Sequence, residues 1–179
     1  QGMTMSLDPE VSVEVMGAAT QPFPMADGGG INNTSLIIRL RYRGFAMLLT
    51  GDAQTEAERL VYDASGATHA SLRANVLKGG HHGSCNATAQ SFLAAVRPRH
   101  ALISLAPYDP DPMKSDNTFG HPHCQTLGKL RNQGAHWLRT DYNGSITVTT
   151  DGERYTVSAT RLSQDIAACP RDCGMPTDF

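Results

Sequence analysis

Two stretches of the sequence decide the fold, LLTGDA at residues 48–53 and LKGGHHGS at residues 77–84. Each joins a short apolar run, typical of a buried strand, to a glycine-flanked polar tip that carries Asp52 or the pair His81 and His82. A rigid strand fixes the direction of a metal-ligating side chain, and glycine lets the backbone turn sharply beneath the ion. The two stretches therefore predict part of a divalent-metal site.

A third glycine-framed tip, GHPH at residues 120–123, adds two more imidazoles. Pro122 restricts the backbone of His121 to extended values and so fixes the direction of its side chain. His123 is expected at or near the start of the following helix. One aspartate and up to four histidines in such turns are typical of a metal-dependent hydrolase. The sequence contains no His-x-His-x-Asp-His cluster, so it does not encode a complete two-metal site.

The size and charge of the chain limit the kinds of function that it can have. A chain of 179 residues suffices for one domain with a sizeable core, or for half of a larger one. Its net charge of −2 creates no global basic field, so a phosphate-rich substrate needs a metal ion or a few local Arg and Lys side chains. No apolar run is long enough to predict a membrane span. The start at Gln1, without a signal-peptide pattern, predicts a processed N-terminus or a fragment.

The order of predicted elements favours a layered α/β domain at residues 1–160, with a tail at 161–179. Apolar and polar periodicity predicts strands at 11–16, 35–42, 45–50, 100–104, 135–139, 145–150 and 153–158, and a short strand that ends at Lys78. The last two form a hairpin around Asp151-Gly152. Helices are predicted at 55–62, 87–96 and 123–132, and long loops at 17–34 and 105–120.

Two interpretations stay open for each of the first two tips. Asp52 either binds a cation or caps the helix that starts near Thr55. In an extended segment His81 and His82 point in opposite directions, so one would face an ion while the other orients a neighbour or meets substrate. Alternatively, both histidines only satisfy loop carbonyls.

Other polar residues are weaker candidates. Lys78 is either a substrate contact or a strand-end residue with a buried stem. Ser84 is a candidate substrate contact, because no base and acid partner is recognisable for a nucleophilic triad. His69, His100 and His136 are expected to be structural.

The four cysteines, at positions 85, 124, 169 and 173, lack the paired spacing of a structural zinc site. Cys169 and Cys173 flank three residues and form either a small disulfide or free thiols. A disulfide would suit a periplasmic or secreted setting, which is slightly favoured over the cytoplasm.

Several motifs in unbroken order over roughly residues 30–150 resemble the metallo-β-lactamase fold. The resemblance is specifically to the C-terminal soluble domain of the ComEC family of DNA-internalisation competence proteins. The matching segments are NNTSL 32–36, LLTGD 48–52, LKGGHHGS 77–84, FL 92–93, RP 97–98, IS 103–104, GHPH 120–123 and TDYNGSI 140–146.

The resemblance implies an αββα sandwich, here incomplete and limited to its C-terminal half. Asp52 matches the metal-bridging aspartate, and His121 the late histidine ligand. His82 or His81 would be a ligand or the catalytic group that contacts the scissile phosphate. Asn33, with Asn32, stands where a histidine is usual, and its amide oxygen suits manganese or magnesium better than zinc. Asn33 is also a candidate substrate contact.

The implied cofactor is a divalent ion, zinc or manganese, weakly bound or absent because the N-terminal ligands are missing. Three functions are open. The first is a phosphodiester hydrolase that acts on single-stranded DNA, beside a companion N-terminal segment that carries the remaining ligands. The second is a phosphocholine or other small-phosphodiester esterase of the same fold. The third is a non-catalytic binding domain that has lost half of the metal site.

Overall fold

The computed structural model describes residues 2–17, 30–162 and 168–173. It confirms the predicted α/β class, with a seven-stranded mixed sheet and a separate two-stranded sheet. The strands are β1 Thr4–Asp8, β2 Val11–Gly17, β3 Ile37–Tyr42, β4 Phe45–Leu49, β5 Val76–Lys78, β6 His100–Ile103, β7 His136–Arg139, β8 Ile146–Thr150 and β9 Tyr155–Ala159. The α-helices are α1 Thr55–Ala64, α2 Gln90–Val96, α3 Cys124–Gln133 and α4 Thr140–Asn143.

The sheet follows the order of the chain from β1 to β7. Strands β1 to β4 pair antiparallel, and β4 to β7 pair parallel. The three parallel crossovers run through α1, α2 and α3. Parallel strands need such crossovers, which is why apolar runs and helical segments alternate in the second half of the sequence.

One hydrophobic core lies between the sheet and its helices. The helices contribute Ala57, Val61, Phe92, Leu93, Val96, Leu127 and Leu130, and the strands contribute Ile37, Leu48, Leu77, Ala101 and Ile103. The β8–β9 hairpin contacts the sheet where Tyr155 packs on Phe45, with ring centroids 5.3 Å apart. None of the described helices is both long and apolar enough to cross a bilayer.

The edge strand β1 and the short helix α4 are observed elements that lie outside the predicted ones. In β1, Met5 and Leu7 alternate with polar residues, but all five residues are exposed, and the strand pairs antiparallel with β2. Of the predicted loop at 17–34, residues 18–29 lie outside the described residues, and Asn32–Thr34 form a short 3-10 turn.

The expectation that Cys169 and Cys173 are either bonded to each other or free is wrong. Cys173 is bonded to Cys85, and Cys169 to Cys124. Residues 168–173 run beside the start of α3, where the Cys124 N–H donates to the carbonyl of Arg171 at 3.1 Å, and each sulfur therefore meets a cysteine of the core. The domain boundary at residue 160 stays a prediction, although both disulfides tie 168–173 to the core.

The buried carboxyl group of Glu58 holds the segment that follows the histidine tip in the chain. The side chain of Glu58 on α1 is fully buried, and its two oxygens accept the N–H groups of Thr88 and Ala89, each at 2.8 Å. Burial raises its pKa to about 7, although these bonds and the nearby Lys129 oppose the shift. The carboxyl group thus ties α1 to the start of α2.

The substitution Glu58→Gln is expected to change how stability depends on pH. The folded protein releases the Glu58 proton near pH 7 and the unfolded chain near pH 4.5, so wild type loses stability as the pH rises through this window. The loss amounts to about 3 kcal/mol, and glutamine does not titrate. Urea unfolding of both proteins from pH 4 to 8 should show the variant gaining on wild type by this amount. A constant difference across the range would contradict the assignment.

Removal of either disulfide is expected to destabilise the fold. The bonds join cysteines 88 and 45 residues apart, and cross-links that close loops of this size contribute about 2 to 4 kcal/mol each. The pair Cys85→Ser/Cys173→Ser should lose slightly more stability than Cys124→Ser/Cys169→Ser, because its loop is longer. Urea unfolding measures both losses. Unchanged stability in either double variant would refute the pairing.

Candidate functional site

The parallel strands bring the predicted tips to one edge of the sheet. Strands β4, β5 and β6 end at Leu49, Lys78 and Ile103, and the tips follow directly. The carboxyl ends of neighbouring parallel strands meet at the same edge, which is where ligands bind in open α/β sheets. The long loop after β6 returns to this edge with residues 120–123.

A cleft of about 480 Å³ opens at this edge. It is lined by Asp52, His81, His82, Ser104, Leu105, Ala106, Asp116, Asn117, Phe119 and His121. The structure therefore gathers four of the predicted site residues, Asp52, His81, His82 and His121, in one cleft.

The side chains of Asp52 and His82 face each other in the cleft. Oδ1 of Asp52 lies 3.3 Å from Nε2 of His82, and the two side chains are 41% and 42% exposed. On the other side of the ring, Nδ1 of His82 lies 2.5 Å from the carbonyl oxygen of Ser104. A carbonyl oxygen only accepts hydrogen bonds, so Nδ1 carries a proton, and Nε2 is the ring nitrogen that faces the carboxylate.

Two electron-rich atoms that face each other at this distance need a proton or a cation between them. A histidine that donates from one nitrogen to a backbone carbonyl and presents the other nitrogen is the arrangement typical of a metal-bound imidazole. The Asp52–His82 pair therefore has the donor chemistry that a divalent ion requires.

The prediction that His81 and His82 lie in an extended segment is wrong. Both residues have left-handed backbones, with φ of 42° and 54°, and lie in a 3-10 turn over Gly80–Gly83. Such conformations cost on the order of 1–3 kcal/mol for a non-glycine residue and persist where the surroundings impose them. Here the turn packs closely, because a Cβ at Gly83 would lie 2.7 Å from Cβ of Pro122. Both histidines consequently face the same cleft.

His121 is the most buried imidazole that lines the cleft, at 7% exposure. Its backbone is held on both sides by Asn117, whose Oδ1 accepts the N–H at 3.0 Å and whose Nδ2 donates to the carbonyl at 2.7 Å. Burial, together with the smaller effect of the nearby histidines, lowers the pKa of His121 to about 3. The ring is therefore neutral at physiological pH, which is the form that binds metals.

The His81 ring lies between these groups. Its centroid is 5.3 Å from that of His121 and 6.3 Å from that of His82. The buried amide of Gln54 donates from Nε2 to Nδ1 of His81 at 3.1 Å, which orients the ring. Burial lowers the pKa of His81, and the charge of Asp52 partly offsets this.

Lys78 and Ser84 lie behind the cleft and are not among its lining residues. Nζ of Lys78 donates to the carbonyls of Gly51 and Gly79, at 3.4 and 3.2 Å, and so links the first two tips from beneath. Burial lowers the pKa of Lys78. Ser84 is buried, and its carbonyl accepts the Thr126 hydroxyl at 2.8 Å. Direct contact of either residue with substrate stays a prediction.

Asn33 caps helix α1, the role considered above for Asp52. Its buried Oδ1 accepts the N–H groups of Gln54 and Ala57 at 2.9 and 3.3 Å, and its Nδ2 donates to Glu56 at 2.9 Å. The Asp52 carboxylate is consequently left to face the cleft. A substrate contact by Asn33 stays a prediction.

The geometry sets a limit on metal binding by this chain. Within the described ranges, three ligand atoms of Cys, His, Asp or Glu lie within 4.8 Å of one another only at Cys85, His123 and Cys173. The two sulfurs there are joined in a disulfide, so they do not offer thiolates. Asp52, His82 and His121 do not converge this closely, and a tight site takes three or more protein ligands. The cleft residues thus fit a weak, partial site.

Asn117 and Ser104 are the functional neighbours that the sequence did not reveal. Asn117 lies inside the predicted loop at 105–120, where an Asn fourteen residues after β6 carries no recognisable pattern. Ser104 acts through its backbone carbonyl, which any residue type supplies. Neither contact leaves a signal that sequence inspection alone detects.

No family model matches the chain. It is 34% identical over 120 residues to ComE operon protein 3 of Bacillus subtilis, a match that covers 67% of this chain and 14% of that protein. It is 32% identical over 115 residues to competence protein ComA of Neisseria gonorrhoeae, covering 64% of this chain and 15% of the relative. Recombination protein 2 of Haemophilus influenzae is 27% identical over 130 residues, covering 73% and 15%.

The matched segment is therefore about one seventh of the length of these relatives. One of the three is a competence protein by name and another is a ComE operon protein, in agreement with the competence resemblance found in the sequence. The chain is homologous to a segment of competence proteins.

Proposed function

We propose that this chain forms part of a metal-dependent phosphodiester hydrolase that acts on DNA during DNA uptake. Its fold would be the C-terminal half of a metallo-β-lactamase αββα sandwich of the ComEC-like group. The observation that carries the proposal is the Asp52–His82 pair, which brings a carboxylate oxygen within 3.3 Å of an imidazole nitrogen in a cleft beside His81 and His121. The competence relatives support DNA as the partner.

In this proposal, Asp52 and His82 would hold a zinc or manganese ion, and His121 would approach as a further ligand. A bound divalent ion lowers the pKa of water and polarises a phosphoryl oxygen. His81, oriented by Gln54, would contact the phosphate. Lys78 holds the turns of Asp52 and His82 at a fixed spacing through its two carbonyl contacts.

A companion segment would supply the remaining ligands, and the exposed sheet face supports this part of the proposal. Strand register places two rows of apolar side chains on the face opposite the core. They are Val13, Leu40 and Met47, then Val15, Ile38, Leu49, Leu102 and Leu138, and all are only partly buried. A sheet with parallel strands normally has both faces covered, so this face suits a second layer.

The two disulfides support a location in an oxidising compartment. Disulfides persist in the periplasm and outside the cell and are rare in the cytosol. We therefore place the proposed activity in the periplasm or at the cell exterior.

The first test is metal binding by the isolated chain. Isothermal titration with Mn²⁺ or Zn²⁺ should show weak binding that Asp52→Asn and His82→Gln each reduce by at least about tenfold. Asp63→Asn and His136→Gln remove the same chemical groups from exposed positions outside the cleft and should leave the affinity unchanged. If elemental analysis finds no metal, and neither zinc nor EDTA alters thermal stability, the chain is a non-catalytic binding domain instead.

The second test is hydrolysis by this chain together with the companion segment that the proposal requires. With added manganese or zinc it should cleave single-stranded DNA and bis-p-nitrophenyl phosphate. Asp52→Asn and His82→Gln should lower kcat at least about tenfold, the loss that follows even from changes behind a metal ligand. Preference for choline phosphodiesters over DNA would favour the esterase, and cleavage of no phosphodiester would defeat the enzymatic proposal.

A further inference from the structure

A second cleft lies at the opposite edge of the sheet, where β4, β5 and β6 begin. It has a volume of about 550 Å³ and is lined by Arg39, Arg73, Arg97 and Arg99, together with Tyr155 and six further residues that include one carboxylate, Glu153. Four guanidinium groups in one cleft are a strong local concentration of positive charge in a chain whose net charge is −2.

Most of this positive charge is not neutralised within the described part of the chain. Arg73, Arg97 and Arg99 are exposed, and none of them forms an ion pair with a described residue. Arg39 lies deeper, with a side chain 12% exposed that faces Glu14 at 3.6 Å. Its Nη2 donates to the carbonyl of Arg73 at 3.0 Å, which fixes the backbone beneath the exposed arginines.

A smaller cleft of about 180 Å³ adjoins the first, and Arg73 and Arg97 line both. Its wall includes Tyr62 and His69, whose rings stack with centroids 4.0 Å apart and an angle of 26°. Tyr155 lies at the other end of the larger cleft. The two clefts therefore form one path, called here the arginine groove, along which aromatic rings flank the arginines.

We propose that the arginine groove binds single-stranded nucleic acid. Guanidinium groups pair with phosphates through two parallel hydrogen bonds, and aromatic rings stack on unpaired bases. A groove that interleaves the two offers partners for both parts of a nucleotide. Duplex fits less well, because its bases are already stacked and their faces are closed to the Tyr62–His69 pair.

The groove is separate from the cleft that holds Asp52. Strand β4 runs from one edge to the other, so at about 3.3 Å per residue the two sites lie on the order of 15 Å apart. A strand of several nucleotides is long enough to reach from the groove to the cleft. Binding in the groove does not depend on hydrolysis in the cleft.

The test compares two charge-matched double variants in EDTA, where metal-dependent cleavage is suppressed. Fluorescence anisotropy with a labelled 20-nucleotide deoxyoligonucleotide should show at least tenfold weaker binding by Arg73→Gln/Arg97→Gln than by wild type. Arg131→Gln/Arg161→Gln removes the same charge from exposed positions outside the groove and should change the affinity less than twofold. The logarithm of the association constant decreases linearly with the logarithm of the salt concentration. The steepness of this decrease should be smaller by about 1.4 in the groove variant alone, since each phosphate contact contributes about 0.7.

A second pair of variants tests the stacking. Tyr62→Leu and, independently, His69→Ala should weaken oligonucleotide binding about fivefold or more, the lower end of the loss per stacked base. Neither should alter the binding of inorganic polyphosphate, which has no bases. Circular dichroism and thermal unfolding identify any variant that has lost its fold. If one of the two variants is unfolded, the oligonucleotide binding of the other tests the stacking.

Equal weakening by the two charge-matched pairs would overturn the proposal. Tighter binding of duplex than of single strand would overturn it as well. So would a groove variant that loses binding to anionic phosphatidylglycerol vesicles but keeps its binding to the oligonucleotide. Hydrolysis of bis-p-nitrophenyl phosphate separates this proposal from that for the cleft. Arg73→Gln/Arg97→Gln should hydrolyse this substrate as wild type does. If wild type does not hydrolyse it, the result counts against the proposed function of the cleft and not against the arginine groove.

Discussion

The parallel hydrogen-bonded ladder from β4 through β5 to β6 is the constraint on which the candidate site depends. It pairs Leu49 with Lys78, and Lys78 with Leu102, so the turns that follow these strands leave the sheet at one level. The Asp52 carboxylate and the His82 ring meet there at 3.3 Å. The same ladder places the starts of the strands, with Arg73 and Arg99 beside them, at the other edge.

The features that could be predicted from the sequence are those that local chemistry determines. Apolar runs bounded by glycine or turn residues gave β4 and β6 within one residue of their observed ends, and Asp151-Gly152 marked the β8–β9 hairpin. Glycine-framed polar tips identified Asp52, His82 and His121, which line one cleft. Neighbouring parallel strands end at a common edge of the sheet. The position of a tip directly after its strand was therefore enough to predict that Asp52 and His82 lie close together.

The remaining features depend on contacts between distant segments. The left-handed turn at His81–His82 continues into Gly83, which packs closely against Pro122, and no local pattern of these residues favours the turn over an extended segment. Asn33 caps a helix that begins more than twenty residues later. The disulfide partners follow from the course of residues 168–173 beside α3, which cysteine spacing does not encode.

The central claim is that Nε2 of His82 holds a lone pair ready for a cation shared with Asp52. Long-range ¹H–¹⁵N correlation of the imidazole nitrogens, recorded as Zn²⁺ is added, tests it most directly. The account predicts a proton on Nδ1 of His82 before metal is added, and a zinc-dependent shift at Nε2 that Asp52→Asn diminishes. A proton on Nε2, or a His82 spectrum that zinc leaves unchanged, would contradict it.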